Sequence, residues 1–287
     1  MDVAIIILAG GKSERFREDK LTYKLNGIPL ILYPINTCKK LSNNIFISTN
    51  DPEYSKIKKL GINEIDYIFD DRNFRCKGSA NGIASSLKKI DYDYYIIVPG
   101  DAPWIDKLAL NNLLNFSIRN NKIVSPLISP GIASPHFLAI PKSYKSSIMD
   151  ICNSYSSLIS RPSNFLRGNN TLLVGSYYLT DNKKAFHDID TKLDILNYNL
   201  KGFMRRIIEI NTYINFREGV KSFEEKNISK SYNNFFIEAN FYKKHKIYNL
   251  ELAALLDSIV VYNKEKLSIK KRIEWLRNKI GREPKES

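Results

Sequence analysis

Val3–Leu30, VAIIILAGGKSERFREDKLTYKLNGIPL, is the stretch whose reading decides the fold. Val3 to Leu8 is a continuous apolar, β-branched run, too short for a buried helix and suited to an interior strand of a parallel sheet. It stops at Ala9-Gly10-Gly11, where two glycines let the backbone turn tightly and present N–H groups that can hold phosphate oxygens. Lys12, Arg15 and Lys20 follow, where a triphosphate would need counter-charge. The spacing is neither the Walker A pattern nor the dinucleotide fingerprint. The same residues also fit an ordinary βα turn followed by solvated cations, so both readings stand at this point.

Outward from this stretch, strands and helices alternate. A helix is expected over 31–40, a second strand at Asn44–Thr49 closed by Asn50, and a third at Ile65–Phe69 closed by Asp70 and Asp71. In an open α/β sheet the ligand crevice lies at the carboxyl ends of strands. Asn50 and Asp70 are therefore candidates for ligand contact, or else turn residues. A glycine-rich entry at 77–82 leads into a helix with Ser79 or Asn81 as N-cap. Tyr95–Val98 reads as another doubly buried strand, ending in Pro99-Gly100-Asp101-Ala102-Pro103-Trp104. A carboxylate held between a proline and a glycine at a strand end suits a Mg²⁺ ligand, and it also suits a helix N-cap. Further strands are expected at Ile123–Ile128 and Pro135–Ile140, the latter carrying His136.

Three segments together resemble a known family. Leu8-Ala9-Gly10-Gly11-Lys12-Ser13-x-Arg15, Asp19-Lys20 and Leu25-Asn26-Gly27-x-Pro29-Leu30 are similar to the opening of the sugar-phosphate and cofactor nucleotidyltransferases, most of all the molybdenum cofactor guanylyltransferase group. Pro99-Gly100-Asp101-Ala102-Pro103 resembles that family's metal-binding motif, and Phe186-His187-Asp188-Ile189-Asp190-Thr191 its closing motif. The stretch Arg15-Phe16-Arg17-Glu18-Asp19-Lys20 departs from the family by lacking a glycine after Arg15. The resemblance implies a three-layer α/β sandwich with a mostly parallel, Rossmann-like sheet over residues 1–203. It implies transfer of a nucleoside monophosphate, GMP or CMP, from an NTP to a phosphorylated acceptor such as molybdopterin, with release of pyrophosphate. Leu8, Ala9, Gly10, Gly11, Lys12, Ser13, Lys20, Asn50, Asp70 and Asp101 would bind nucleotide, and Arg15, Lys20 and Asp101 would be catalytic. Mg²⁺ would be the cofactor, held by Asp101 and by Asp190, which also fits a helix-capping role. His136 would lie on the acceptor side.

Residues 204–287 lie beyond the resemblance. Helices are expected at 229–244, 250–262 and 264–280, and residues 201–287 hold 19 Lys and Arg against 11 Asp and Glu. This basic helical extension is expected to dock on the domain, on a second copy or on a partner protein. The whole chain carries a net charge of +14. Two other classes of function stay open: a non-catalytic nucleotide sensor or scaffold, and a basic nucleic-acid-associated protein, ranked last because no nucleic-acid motif is present. Cys38, Cys76 and Cys152 form no metal or disulfide pattern, and no apolar run approaches a membrane span. The expected location is the cytoplasm, with no membrane contact.

Overall fold

The computed structural model describes residues 1–10, 16, 18–154, 161–196, 202–262 and 267–280. β1 (Val3–Leu8) is followed by a small antiparallel pair, β2 (Lys24–Leu25) and β3 (Ile28–Pro29), then α1 (Leu32–Cys38), β4 (Ile45–Thr49), α2 (Asp51–Lys58) and β5 (Asp66–Phe69). Next come α3 (Gly78–Lys89), β6 (Tyr94–Pro99), α4 (Lys107–Asn120), β7 (Ile123–Ile128), β8 (Ile132–Ala133) and β9 (Leu138–Pro141). The chain continues through α5 (Lys145–Ser154), α6 (Ser163–Arg167), β10 (Thr171–Gly175), α7 (Lys192–Leu196) and β11 (Ile207–Ile210). It closes with α8 (Tyr213–Glu224), α9 (Ile228–Lys244), α10 (Tyr248–Tyr262) and α11 (Leu267–Ile280).

The main sheet runs β11-β10-β7-β9-β6-β1-β4-β5, with β8 paired to β7. β1 lies between β4 and β6, parallel to both, while β9 and β11 run antiparallel to their neighbours. Alternation along β1 divides its side chains: Ala4 and Ile6 enter the core on one face of the sheet, Ile5 and Ile7 the core on the other. Helices cover both faces, α3, α5 and α6 on the first and α1 and α4 on the second, so the fold is the expected mostly parallel three-layer sandwich. Among the described residues, no helix is long and apolar enough to cross a membrane.

Local expectations fail in instructive places. Asp101 caps no helix, because the next one begins at Lys107 and its cap is Asp106, whose carboxylate accepts from the Ala109 N–H at 2.7 Å. Lys77 occupies the N-cap of α3 without a side-chain bond, while Asn81 is drawn to the carbonyls of Asp71 and Cys76. Pro135 and His136 stand outside the strand predicted for them: Phe137 N–H closes a turn on the Ser134 carbonyl at 3.1 Å, and β9 starts at Leu138. Cys76 and Cys152 are joined as a disulfide, 76 residues apart in sequence, where the sequence reading expected none.

The three helices predicted beyond residue 204 are α9, α10 and α11; β11 and α8 are additional. β11 extends the main sheet by pairing with β10. Phe216, Phe235, Tyr242 and Leu255 join the core that α3 and α5 share with the sheet. At the centre of this junction lies Arg167 of α6, 1% exposed. Its Nε and Nη2 donate to Glu238 of α9 at 2.7 and 2.8 Å, and its Nη1 donates to Asp257 of α10 at 2.6 Å. Burial alone would lower the affinity of the guanidinium for its proton, but the two carboxylates outweigh that and raise it well above its ordinary range.

Removing one partner of a buried ion pair leaves an uncompensated charge. Glu238→Ala is expected to cost about 3–5 kcal/mol, read as a lower urea midpoint at unchanged slope. Replacing Arg167, Glu238 and Asp257 together by apolar residues of similar volume should recover most of that loss.

Candidate active site

Parallel strands leave their carboxyl ends on one edge of the sheet, and the order β6-β1-β4-β5 brings Asp101, Gly10, Asn50 and Asp70 to that edge. The chain leaving β1 is pinned to the end of β4: Ala9 N–H donates to the Ser48 carbonyl at 2.7 Å and Thr49 Oγ1 to the Ala9 carbonyl at 3.1 Å. Asn50 uses both ends of its amide. Its Oδ1 accepts from the Glu53 N–H, capping α2, and its Nδ2 donates to the Gly10 carbonyl at 2.7 Å. Gly11, Lys12, Ser13 and Arg15 lie outside the described residues.

At the end of β6, Gly100 N–H donates to the Leu8 carbonyl at 2.9 Å, and a Cβ at Gly100 would stand 2.9 Å from that same oxygen. Only glycine lets the two strand ends approach this closely, which fixes Asp101 beside the turn after β1. The Asp101 carbonyl in turn accepts from the Ile189 N–H at 3.0 Å. Ile189 is fully buried against Phe16 and Leu30. Its neighbours in sequence, Asp188 and Asp190, are thereby held beside Asp101.

The three carboxylates each offer an oxygen within 4.8 Å of the others. Lys20 ion-pairs with Asp101 and, at 3.6 Å, with Asp190. Burial pushes the Asp101 carboxyl up to about 6 against the pull of Lys20, with the charges of Asp188 and Asp190 adding to the rise. Asp188 is raised as well, by burial and then by Asp190. Burial would lower Lys20, but its acidic neighbours reverse the sign and raise it. Among the described residues, Lys20 pairs with two of three clustered carboxylates, and these hard oxygen donors are a set that fits a divalent cation such as Mg²⁺.

A cavity of about 200 Å³ opens on this cluster. Lys20, Asp101, Asp188 and Asp190 line one side, with Ser48, Asp70, Gly82, Ser79 and His136 also in its wall. Gly82 packs closely under Ser48, since a Cβ there would lie 2.7 Å from Ser48 Oγ and the hydroxyl would have to turn away. Burial pushes the Asp70 carboxyl up to about 6. Ser79 Oγ and His136 Nε2 are 3.2 Å apart. Of the residues expected from sequence, Leu8, Gly10, Lys20, Asp70, Asp101 and Asp190 thus meet at one cleft, and Ala9 and Asn50 buttress the turn behind it. Asp188, Ser48 and Ser79 were not expected there. For Asp188 the signal was present in the pattern Asp188-Ile189-Asp190, two carboxylates flanking one buried residue.

The family model for the MobA-like NTP transferase domain matches residues 5–160. The chain is 28% identical over 213 residues to a Methanocaldococcus jannaschii protein named "Probable molybdenum cofactor guanylyltransferase", covering 68% of this chain and 97% of that one. Among solved structures it is similar to molybdopterin-guanine dinucleotide biosynthesis protein A from Archaeoglobus fulgidus, with a TM-score of 0.57, 17% identity, and 67% of this chain and 95% of that one covered. It is also similar to a 4-diphosphocytidyl-2C-methyl-D-erythritol synthase from Anaerococcus prevotii, with a TM-score of 0.51, 14% identity, and 68% and 95% covered. At such identities the two structures speak for the fold, whereas the family model spans over half of the sequence and includes both the β1 turn and Asp101: the chain belongs to the MobA-like NTP transferase family.

Proposed function

We propose that this nucleotidyltransferase is a guanylyltransferase that moves GMP from GTP to a phosphorylated acceptor of the molybdopterin class and releases pyrophosphate. The observation that carries this reading is the cluster of Asp101, Asp188 and Asp190 around Lys20, facing the cleft at the end of β1. An acceptor phosphate oxygen would attack the α-phosphorus as the bond to the β-phosphate oxygen breaks. A phosphate monoester is anionic at pH 7, so the attack needs no general base. The work left to the protein is positioning and charge stabilisation.

In this reading Gly10 and Gly11 approach the triphosphate, while Lys12, Ser13 and Arg15 act with it as the family motif implies. Lys20 balances charge on the departing pyrophosphate and keeps the carboxylates together. Asp101 and Asp190, with Asp188, would hold Mg²⁺, which when bound supplies positive charge against the α-phosphate. Asp70 faces the cavity as an acceptor, matching the two adjacent N–H donors on the guanine edge. His136 and Ser79 form the acceptor side. Residues 1–203 carry these groups, and residues 204–287 serve as their brace and as a surface for self-association or a protein partner.

Asp101→Asn should lower Mg²⁺-dependent pyrophosphate release from GTP by at least on the order of 100-fold with little change in melting temperature. Unchanged release removes Asp101 from the mechanism. Asp70 must be ionised to accept from the base, and its raised pKa means that ionised form is lost as pH falls through about 6. GTP affinity measured by calorimetry should therefore weaken between pH 7 and pH 5, and Asp70→Asn should bind weakly throughout and lose part of that pH dependence.

A further inference from the structure

The basic helices lie outside the matched family region, yet the junction of two of them is bonded to the segment of chain that leads to His136 in the wall of the cleft. Between α9 and α10 the chain passes through His245, Lys246 and Ile247. The Arg206 guanidinium donates to the His245 carbonyl at 3.0 Å, tying this turn to the segment ahead of β11. Beyond it, Tyr248 N–H donates to the Gly131 carbonyl at 2.9 Å. Asn249 then pairs with one residue of β8 through both ends of its amide: its Oδ1 accepts from the Ala133 N–H at 3.0 Å and its Nδ2 donates to the Ala133 carbonyl at 2.7 Å. Ala133 is fully buried, and Asn249 serves its backbone groups as an added strand would.

From Ala133 the path to His136 is short and fixed at every step. Ser134 N–H donates to the Pro126 carbonyl at 2.9 Å. The Ser134 carbonyl accepts from Ser125 Oγ at 2.9 Å and from Phe137 N–H at 3.1 Å. That second bond closes a turn with Pro135 and His136 as its central residues, and proline in the first of these places restricts the backbone further. His136 is thereby delivered to the cavity wall, 3.2 Å from Ser79 Oγ and in the same cleft as Asp101. No flexible link separates Asn249 from His136.

We infer that Asn249 is a positioning residue for the acceptor side of the cleft: through Ala133 it sets where His136 stands, so that the C-terminal helices shape the site without touching substrate. This rests on reading the cleft as the reaction site. The role is specific to Asn249 because a side chain must offer an acceptor and a donor at once to match one residue's N–H and C=O. The substitution Asn249→Asp would keep the bond from the Ala133 N–H and lose the one to its carbonyl.

The test uses the full chain labelled with ¹³C-histidine, which has three histidines, the His136 signal being assigned by its loss in His136→Gln. In Asn249→Ala the His136 resonance should shift or broaden while that of His187 stays in place, and Asn249→Asp should give a smaller change in the same direction. His245 sits in the turn just ahead of the helix that carries Asn249 and serves as the internal sign that this junction has been perturbed. Mg²⁺-GTP affinity by calorimetry should match wild type in both variants, since the nucleotide side lies on other strands. A folded Asn249→Ala whose His136 signal superimposes on wild type overturns the inference. Loss of folding in both variants assigns Asn249 to stability alone and overturns it as well. Failure of the wild-type chain to bind Mg²⁺-GTP would instead sink the proposed reaction, and the His136 comparison would still decide the positioning role.

Discussion

Carboxylates whose oxygens lie within 4.8 Å of one another repel, and much of this molecule is built to hold three of them so close. Lys20 answers part of that repulsion, while burial first and the neighbouring carboxylates second raise both Asp101, to about 6, and Asp188. Such a cluster persists only where the surrounding backbone leaves it no freedom to relax. Here the constraint comes from two close approaches, Gly100 against the Leu8 carbonyl and Ile189 N–H against the Asp101 carbonyl. The first welds two parallel strand ends together, and the second brings a segment from far downstream onto the same point.

The sheet order gives this cluster its neighbours. Because β1 is central and β4 and β5 follow on one side, Gly10, the Asn50 amide and Asp70 fall along that side of the sheet's edge. On the other side β9 runs antiparallel between β6 and β7, so the beginning of β9, rather than its end, reaches the cleft. His136 arrives at the site by that reversal.

The C-terminal helices are held by a different device. Arg167 is buried with two carboxylates from α9 and α10, and the cost of taking these charges out of water offsets much of their attraction. Apolar faces of α8 to α11 complete a core that the sheet domain begins, with Phe216 against both Phe235 and the Arg167 guanidinium.

Local pattern in the sequence determined the doubly buried strands at Val3–Leu8 and Tyr95–Val98, the helices α9, α10 and α11, and the order of three motifs that carry Lys20, Asp101 and Asp190. These were legible because a run of apolar residues or a 3.6-residue period records which faces are buried, and that depends on near neighbours in the chain. The tertiary structure alone decided that Ser79 meets His136, that Cys76 meets Cys152, and that Asn249 clasps Ala133 from 116 residues away. Arg167 was visible as a cation in a polar stretch and gave no sign of partners 71 and 90 residues further on. The short β11 and the turn at Pro135-His136 were missed for the same reason: each is set by hydrogen bonds to distant backbone, and a pairing across a fold leaves no period in the residues that make it.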